Sequence, residues 1–378
     1  MERAHLKVKK VERVEYMDIV KGIAILLVVV GHAGSPFQNF IYLFHMAAFF
    51  CVSGYFYKDH YSSNLIKMIK RRIKSLYLPF LSFELLFLCL HNLFYALNIY
   101  SNKLVYFGEI EHLYKPFDYL KNLVFIFTFH NTEQLLKPFW FLISLFVVNV
   151  LFSIISYLTT ERLKKHGEKA RFTLVLLCFV IGMVMSFNKI VLSLNLGQSL
   201  VALLIYYFGY LYKRFESHIP FNKYLMLLSF LFLVINSFYV RIEMSSNAYS
   251  DPFSFVINAV VGTYFIFGIA KFITAKKLKG MGLITFIGLN TLPLLALQLL
   301  SFKIVNLIQV IFYHYPSYMV AKFLILDGSH GWWIAYSLVG IFVPLAVVYA
   351  YKKIKSYIDF YIASYNLPIL KLNKLLEI

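Results

Sequence analysis

The feature that most constrains this chain is a succession of apolar runs, each long enough to cross a lipid bilayer as a helix. A helix needs about 20 apolar residues to span the hydrocarbon core. The runs are continuous and lack the alternating pattern of membrane β-strands. We therefore predict an all-α fold, a polytopic transmembrane helix bundle of about ten spans. The predicted spans are residues 17–34, 38–57, 76–97, 138–158, 172–188, 191–212, 222–240, 253–274, 283–307 and 331–351.

Composition and charge agree with this prediction. The chain is 60% hydrophobic and 15% charged, whereas soluble domains are about 45–50% apolar and about 25% charged. The formal net charge of +19 does not indicate a nucleic-acid partner, because the basic residues are scattered between apolar runs instead of gathered on one solvated face. The three cysteines lie within apolar segments and predict no disulfide framework. The expected partner is the lipid bilayer, with no nucleic acid.

The distribution of Lys and Arg predicts the orientation. With the amino terminus inside, the inner segments hold 28 of the 37 basic residues, as expected for cytoplasmic loops. We predict a multi-pass protein of the cell membrane with both termini in the cytoplasm. Its parts are a basic amino-terminal segment (1–16), a membrane domain (17–351) and a basic carboxy-terminal tail (352–378).

The long outer connection, residues 98–137, contains one shorter apolar stretch. Residues 120–130 are apolar but too few to span comfortably. If they did cross, every later loop would change sides and the charge bias would reverse. We therefore expect an outer-face or re-entrant element here.

Ionisable side chains within spans are costly and usually face a bundle interior or a cavity. Lys21 and His32 are separated by ten residues in the first span. At 100° per residue, they lie within about 20° of the same helix face and about 16 Å apart along the axis. Asp18 precedes Lys21 by three residues and can pair with it. The alternative is that Lys21 and Asp18 anchor the interface while His32 ends the helix.

Further polar residues lie in or near the spans. His45 is predicted to lie mid-helix in the second span. A short loop joins this span to the first, so the imidazoles of His32 and His45 can come together. Glu84 and His91 are seven residues apart on one face of the third span and are expected to line a cavity or to bond a neighbouring helix. Glu133 and Trp140 lie near the predicted outer face and are expected to contact a substrate. The candidate substrate-binding residues are Asp18, Glu84, His91, Glu133 and Trp140.

Several of these residues belong to strings that resemble a known family. The strings are Asp18 to Ile25, Gly31-His32, Phe44-His45-Met46, Phe49-Phe50, Ser53-Gly54-Tyr55, Pro138 to Leu142 and Gly288 to Pro293. They are similar to motifs of the acyltransferase-3 family, particularly its fucose 4-O-acetylase-like branch, including the pattern of a basic residue and a histidine separated by ten residues. The chain departs from the family at Ala47, where proline is frequent, and at Gln298, where histidine is common. Gln298 can hydrogen-bond but cannot carry a proton near neutral pH.

The resemblance implies a membrane O-acyltransferase that moves an acyl group, most simply acetyl, from cytoplasmic acyl-CoA to a hydroxyl of a cell-surface carbohydrate or lipid-linked glycan. Acetyl-CoA would be a co-substrate, with no bound cofactor and no metal. His32 and His45 are the catalytic candidates, acting by direct transfer or through an acyl-imidazole. Lys21, Arg71 and Arg72 are the candidates for holding the CoA phosphates.

The alternative function is a multispan transporter or flippase of a glycan-related substrate, since polar groups inside a bundle also suit substrate passage. The sequence shows neither an inverted repeat nor paired interrupted helices to favour it. It also lacks nucleotide-binding loops and zinc-peptidase motifs.

Overall fold

The computed structural model describes residues 14–106, 109–162 and 167–364, and these form an almost wholly helical bundle. Two small hairpins complete it: β1 (Val105–Tyr106) pairs antiparallel with β2 (Glu109–Ile110), and β3 (Ile242–Glu243) with β4 (Ala248–Tyr249). The α-helices are α1 (Glu15–His32), α2 (Gln38–Tyr42), α3 (His45–Tyr55), α4 (Leu65–Arg72), α5 (Leu78–Ala96), α6 (Pro116–Phe127), α7 (Trp140–Tyr157), α8 (Gly167–Phe187), α9 (Leu196–Phe215), α10 (Lys223–Tyr239), α11 (Pro252–Lys276), α12 (Met281–Leu289), α13 (Thr291–Phe312) and α14 (Trp332–Ser364).

Local polar residues set several helix boundaries. The Asn64 side chain accepts a hydrogen bond from the Lys67 amide at the start of α4, and Asp251 accepts one from the Ser254 amide at the start of α11. These side chains satisfy amide groups that a helix leaves unpaired at its first turn. Between α11 and α12, Gly280 has a φ of +89°, a conformation that glycine adopts at little cost.

The all-α, membrane-spanning prediction is confirmed. Within the described residues, seven helices are long and apolar enough to cross a membrane. The remaining three predicted spans correspond to α1, which carries three charged residues, to the 17-residue α10, and to the pair α2 and α3. The exact number of spans stays a prediction. The seven helices are Leu65–Ala96, Gln134–Thr160, Gly167–Phe187, Ser193–His218, Pro252–Lys276, Thr291–Phe312 and Trp332–Tyr361.

The second predicted span is not one continuous helix. A turn separates α2 from α3, so His45 is the first residue of α3 and the prediction that it lies mid-helix was wrong. Phe44 in this turn is buried and packs directly over Gly262 of α11, where an added Cβ would lie 2.1 Å from the Phe44 Cβ. Close packing of that ring against a residue without a side chain accompanies the break and was not visible in the hydropathy pattern.

The ninth predicted span is also interrupted, because α12 ends at Leu289 and α13 begins at Thr291. The intervening Asn290 donates from Nδ2 to the carbonyl of Phe286 at 2.6 Å and accepts from Lys352 Nζ at 2.8 Å. A polar side chain therefore supplies hydrogen bonds where the chain changes direction. The expectation that the chain has no pair of interrupted helices was wrong.

α1 lies at the centre of the bundle and contacts α3, α11, α12, α13 and α14. The backbones of α1 and α12 lie very close together at two glycines. A Cβ added to Gly288 would be 1.8 Å from the carbonyl oxygen of Asp18, and one added to Gly22 would be 2.3 Å from the carbonyl oxygen of Ile284. Glycine on both helices thus permits a contact that helps to fix the first turns of α1.

The apolar stretch predicted as a short outer-face or re-entrant element folds back along α5. Asn92 in α5 exchanges two hydrogen bonds with the backbone of Tyr114, at 3.0 and 2.8 Å. α6 then runs back along α5, and the carbonyl of Phe127 accepts from the Tyr77 hydroxyl at 2.7 Å. The chain returns through residues 128–139 to Trp140, the first residue of α7. We refer to residues 116–139 as the re-entrant segment.

The two ends of the bundle differ in structure. Residues 97–106, 109–115, 240–251 and 313–331 lie at the loop end, which also holds His32. At the opposite, basic end, Glu216 accepts hydrogen bonds from Tyr16 at 2.6 Å and Tyr55 at 2.8 Å and pairs with Lys271 at 2.7 Å. This carboxylate ties α1, α3 and α11 to the end of α9.

Candidate active site

A cavity of about 520 Å³ opens at the loop end and brings the two predicted catalytic histidines together. His32 lines it from the last turn of α1, and His45 from the first residue of α3. The turn between α2 and α3 is what places His45 there. The other lining residues are Val28, Gln38, Tyr42, Met46, Tyr106, Lys137, Pro138, Trp140, Ile242, Glu243, Met244, Ser245, Ser246, Leu295, Phe323 and Leu324.

The hydrogen bond of His45 fixes which nitrogen can act as a base. Its Nδ1 lies 2.8 Å from the carbonyl oxygen of Ile41. A carbonyl only accepts, so Nδ1 carries the proton, and Nε2 holds the lone pair when the ring is neutral. The ring also stacks on Tyr42, with centroids 5.1 Å apart. This side chain is therefore oriented by a hydrogen bond at its ring edge and by stacking on one ring face.

His32 is oriented by Gln298 of α13. Its Nδ1 lies 3.4 Å from Gln298 Oε1, and the amide itself is oriented because its Nε2 donates to the carbonyl of Leu295 at 3.3 Å. The Gln298 oxygen is therefore left to accept from Nδ1, which again places the lone pair on Nε2. The residue that departs from the family pattern thus contacts the candidate base in this chain.

Glu243 lines the cavity from the β3–β4 connection. Its Oε1 accepts from the Ser245 hydroxyl at 2.6 Å. Burial raises the pKa of the Glu243 carboxyl above its ordinary value, although the hydrogen bonds from Ser245 oppose that change. A carboxylate here can accept hydrogen bonds from hydroxyl groups of a bound molecule.

Trp140 lines the cavity, and its contact with a substrate stays a prediction. Lys137 and Pro138 lie beside it, at the end of the re-entrant segment. Their placement depends on how firmly that segment is held against α5.

A buried cluster holds the re-entrant segment. Glu133 Oε2 accepts from the Tyr100 hydroxyl at 2.9 Å and lies 3.3 Å from His91 Nδ1. Glu84 Oε2 accepts from both the amide and the hydroxyl of Thr132, at 3.3 and 3.2 Å. Burial raises the pKa of Tyr100, so this phenol remains a donor.

The cluster does not reach the cavity. Glu84 and His91 are completely buried and Glu133 is 1% exposed, and none of the three lines the cavity. The structure therefore gives them a different position from the acceptor-facing one predicted. Their polar atoms attach the re-entrant segment to α5, because buried polar groups need hydrogen-bonding partners.

The predicted CoA-binding residues lie apart from the cavity. Lys21 Nζ pairs with Asp18 Oδ1 at 2.7 Å, with the Lys21 side chain 27% exposed, and neither residue lines the cavity. Arg71 donates to the Tyr61 hydroxyl, and Arg72 has a buried Nε without a hydrogen-bond partner in the described part of the chain. α4 packs on α7 whereas the first turns of α1 pack on α12, so the structure does not join these cations in one site.

No group of three His, Cys, Asp or Glu side chains that could hold a metal ion occurs within residues 14–106, 109–162 and 167–364.

Comparison with known protein families identifies the class of protein. A family model described as an acyltransferase domain matches residues 14–351. The chain belongs to the acyltransferase-3 family. No curated protein and no solved structure matches it. This acyltransferase-3 protein is thus a multi-pass membrane acyltransferase, and the fucose 4-O-acetylase-like branch stays a prediction.

Several cavity residues of this acyltransferase-3 protein were missed by sequence reasoning. Glu243, Tyr106 and Phe323 come from separate connections at the loop end. No spacing rule relates positions so far apart in the chain. Tyr42 was near enough to His45 to be noticed, but the turn that stacks the two rings was not predicted.

Proposed function

We propose that this acyltransferase-3 protein is an O-acetyltransferase of the cell membrane. Acetyl-CoA from the cytoplasm is the donor, and a hydroxyl of a cell-surface carbohydrate or lipid-linked glycan is the acceptor. The proposal rests on one observation above all: two histidines with Nε2 available as a base line one cavity. The charge bias of the sequence supports cytoplasmic termini and, with them, an outer position for the cavity.

In the proposed reaction, the acceptor oxygen attacks the thioester carbonyl while its proton passes to an imidazole Nε2. The carbon–sulfur bond then breaks and the CoA sulfur takes up the proton. General base catalysis of this kind contributes about 10²–10⁴-fold. His32 is the proposed base, with Gln298 holding the ring, and His45 is its neighbour in the cavity. An acyl-imidazole on either ring is the alternative path.

The donor is proposed to enter from the basic end. Lys21, Arg71 and Arg72 remain the proposed contacts for its phosphate groups. The unpartnered Nε of Arg72 supports this, because a buried guanidinium nitrogen without a partner can bind an anion. Lys21 must separate from Asp18 or bind phosphate beside it.

The acceptor is proposed to occupy the loop end of the cavity. Trp140 and Tyr106 offer flat apolar faces, and Glu243 and Gln38 offer hydrogen-bonding groups. An apolar lining with a few polar groups is typical of small-molecule sites. The mixture suits a sugar ring, which has apolar faces and a rim of hydroxyls.

Transport remains the rival proposal, and the interrupted helices at residues 43–44 and 290 favour it, since transporters use such breaks at substrate sites. Purified protein in lipid nanodiscs, given radiolabelled acetyl-CoA and lipid-linked or free glycans, tests acyl transfer separately from transport. Nanodiscs have no lumen, so label appearing on the glycan measures acyl transfer alone.

Two variants and one control complete the test. His32→Ala should reduce transfer by about 10²–10⁴-fold while the protein remains folded in the membrane, and His45→Ala should also reduce it. His218→Ala removes an exposed histidine at the basic end and should leave the rate unchanged. Transfer at the parent rate in the His32 variant would refute the role assigned to that ring.

A further inference from the structure

Three polar side chains follow one another along α13 at intervals of three residues: Lys303, Asn306 and Gln309. They are 4%, 0% and 0% exposed. Apolar side chains would be expected on a buried face of a membrane helix, because polar groups there are costly and need partners. We call these residues the α13 ladder.

The partners of the α13 ladder are backbone groups of residues 320–327. Lys303 Nζ donates to the carbonyls of Ala321 and Lys322 at 3.1 and 2.8 Å. Asn306 Nδ2 donates to the carbonyls of Val320 and Lys322 at 2.9 and 3.0 Å. The α13 ladder thus supplies hydrogen bonds to backbone groups that are not paired in a β-sheet.

The same side chains also accept hydrogen bonds from that segment. Asn306 Oδ1 accepts from the Leu326 amide at 3.1 Å. Gln309 accepts from the amide of Asp327 at 3.3 Å and donates to its carbonyl at 2.8 Å. The buried hydroxyl of Tyr336 lies 2.5 Å from Asn306 Oδ1 and 2.9 Å from Gln309 Oε1, and it donates its single proton to one of these oxygens. These bonds fix both ends of residues 320–327.

The fixed segment presents Phe323 and Leu324 to the cavity. The Phe323 ring lies against Tyr106 of the β1–β2 hairpin, with centroids 3.8 Å apart. Ile325 packs over Gly34, two residues after His32, where an added Cβ would lie 2.4 Å from the Ile325 side chain. The segment is therefore placed relative to both the histidines and the opposite wall.

We propose that Phe323 is a specificity-determining residue that closes the cavity on one face of the acceptor's sugar ring, and that the α13 ladder positions it. This inference rests on the function proposed above. An aromatic ring offers a large flat apolar surface and loses little conformational freedom when it is held by its backbone. Donor contacts are expected at the basic end, so a change at Phe323 should affect the acceptor selectively.

Steady-state kinetics with varied acceptor and varied acetyl-CoA test the role of the ring. Phe323→Ala should raise the acceptor KM about tenfold, the effect of losing about 1.4 kcal/mol of binding. The acetyl-CoA KM and the turnover at saturating acceptor should stay within about twofold. Phe323→Tyr keeps the ring and should restore the parent acceptor KM.

The α13 ladder is tested at Asn306, which does not line the cavity. Asn306→Leu keeps the side-chain volume but removes three hydrogen bonds to the segment, and should raise the acceptor KM in the same selective way. Ile308→Ala alters a neighbouring side chain that is 47% exposed and should not. A Leu324→Cys reporter should react several-fold faster with a membrane-impermeant maleimide in the Asn306→Leu background, with the parent chain and its three native cysteines as the blank.

The outcomes distinguish a wrong proposed function from a wrong role for Phe323 or the α13 ladder. If the parent chain transfers no acyl group to a carbohydrate, the proposed function is wrong. If the parent is active but Phe323→Ala leaves the acceptor KM unchanged, or raises both KM values alike, Phe323 does not determine specificity. If Asn306→Leu changes neither the acceptor KM nor the labelling of Leu324→Cys, the α13 ladder does not position the segment.

Discussion

Replacing Gly288 by alanine tests the close backbone contact between α1 and α12. The new Cβ would lie 1.8 Å from the Asp18 carbonyl oxygen, whereas real Cβ atoms essentially never approach closer than 3.0 Å, so α1 and α12 must separate by about 1.2 Å. The Asp18 carbonyl oxygen belongs to the backbone, and the new Cβ is bonded directly to the backbone at residue 288, so rotation of a side chain cannot relieve the contact. Overpacking of this kind costs about 1–3 kcal/mol.

Gly282 provides a matched control on the same helix. An added Cβ there meets nothing within 4 Å. In both variants alanine gains helix propensity, worth about 0.5–1 kcal/mol over glycine. To first order this gain cancels in the comparison, so Gly288→Ala should be about 1–3 kcal/mol less stable than Gly282→Ala.

The measurement is thermal unfolding of both variants in the same detergent, followed by tryptophan fluorescence. We expect a midpoint several degrees lower for Gly288→Ala and a midpoint at or slightly above that of the parent for Gly282→Ala. Equal midpoints would show that the two helices can move apart freely. That result would refute the inference that α12 fixes the first turns of α1.

Three other predictions concern the site. Gln298→Leu should reduce turnover at least about tenfold without removing His32, because general base catalysis by a correctly oriented imidazole contributes about 10²–10⁴-fold; unchanged turnover would show that Gln298 does not orient the ring. The acceptor KM should rise as pH falls, beginning at a pH above the ordinary Glu pKa of about 4.3, because the pKa of Glu243 is raised and protonation turns one oxygen that accepts hydrogen bonds into a donor; Glu243→Gln should abolish that dependence. Glu133→Ala should destabilise the protein by about 1–3 kcal/mol, because His91 Nδ1 and the Tyr100 hydroxyl lose their buried acceptor; an unchanged thermal midpoint would contradict this.

Hydropathy and charge predicted the class of fold because lipid imposes a simple rule on helix length. The same rule excluded residues 120–130 from spanning, and in the structure most of them belong to α6, which packs back along α5. The breaks at residues 43–44 and 290 could not be predicted in this way. They depend on tertiary contacts, such as Phe44 against Gly262, that an apolar window does not record.

Helical periodicity correctly predicted which side chains share a face of one helix, but it did not predict contacts between helices. It placed Lys21 beside Asp18, a pair that the structure contains. It also placed Glu84 and His91 on one face, which the structure contains as well, but facing Thr132 and Glu133 instead of the cavity. Residue spacing predicts which side chains share a helix face. The residues that contact that face depend on how segments distant in the sequence pack against it.

The re-entrant segment also has a consequence for biosynthesis. Glu84 and its partner Thr132 are 48 residues apart, so α5 is synthesised before the groups that satisfy its buried carboxylate exist. On insertion scales an acidic residue at the centre of a helix costs about 2.5–3.5 kcal/mol, so α5 enters the bilayer less readily alone than its apolar content indicates. Docking of the segment therefore cannot precede synthesis of Thr132, and until then the Glu84 carboxylate lacks these partners.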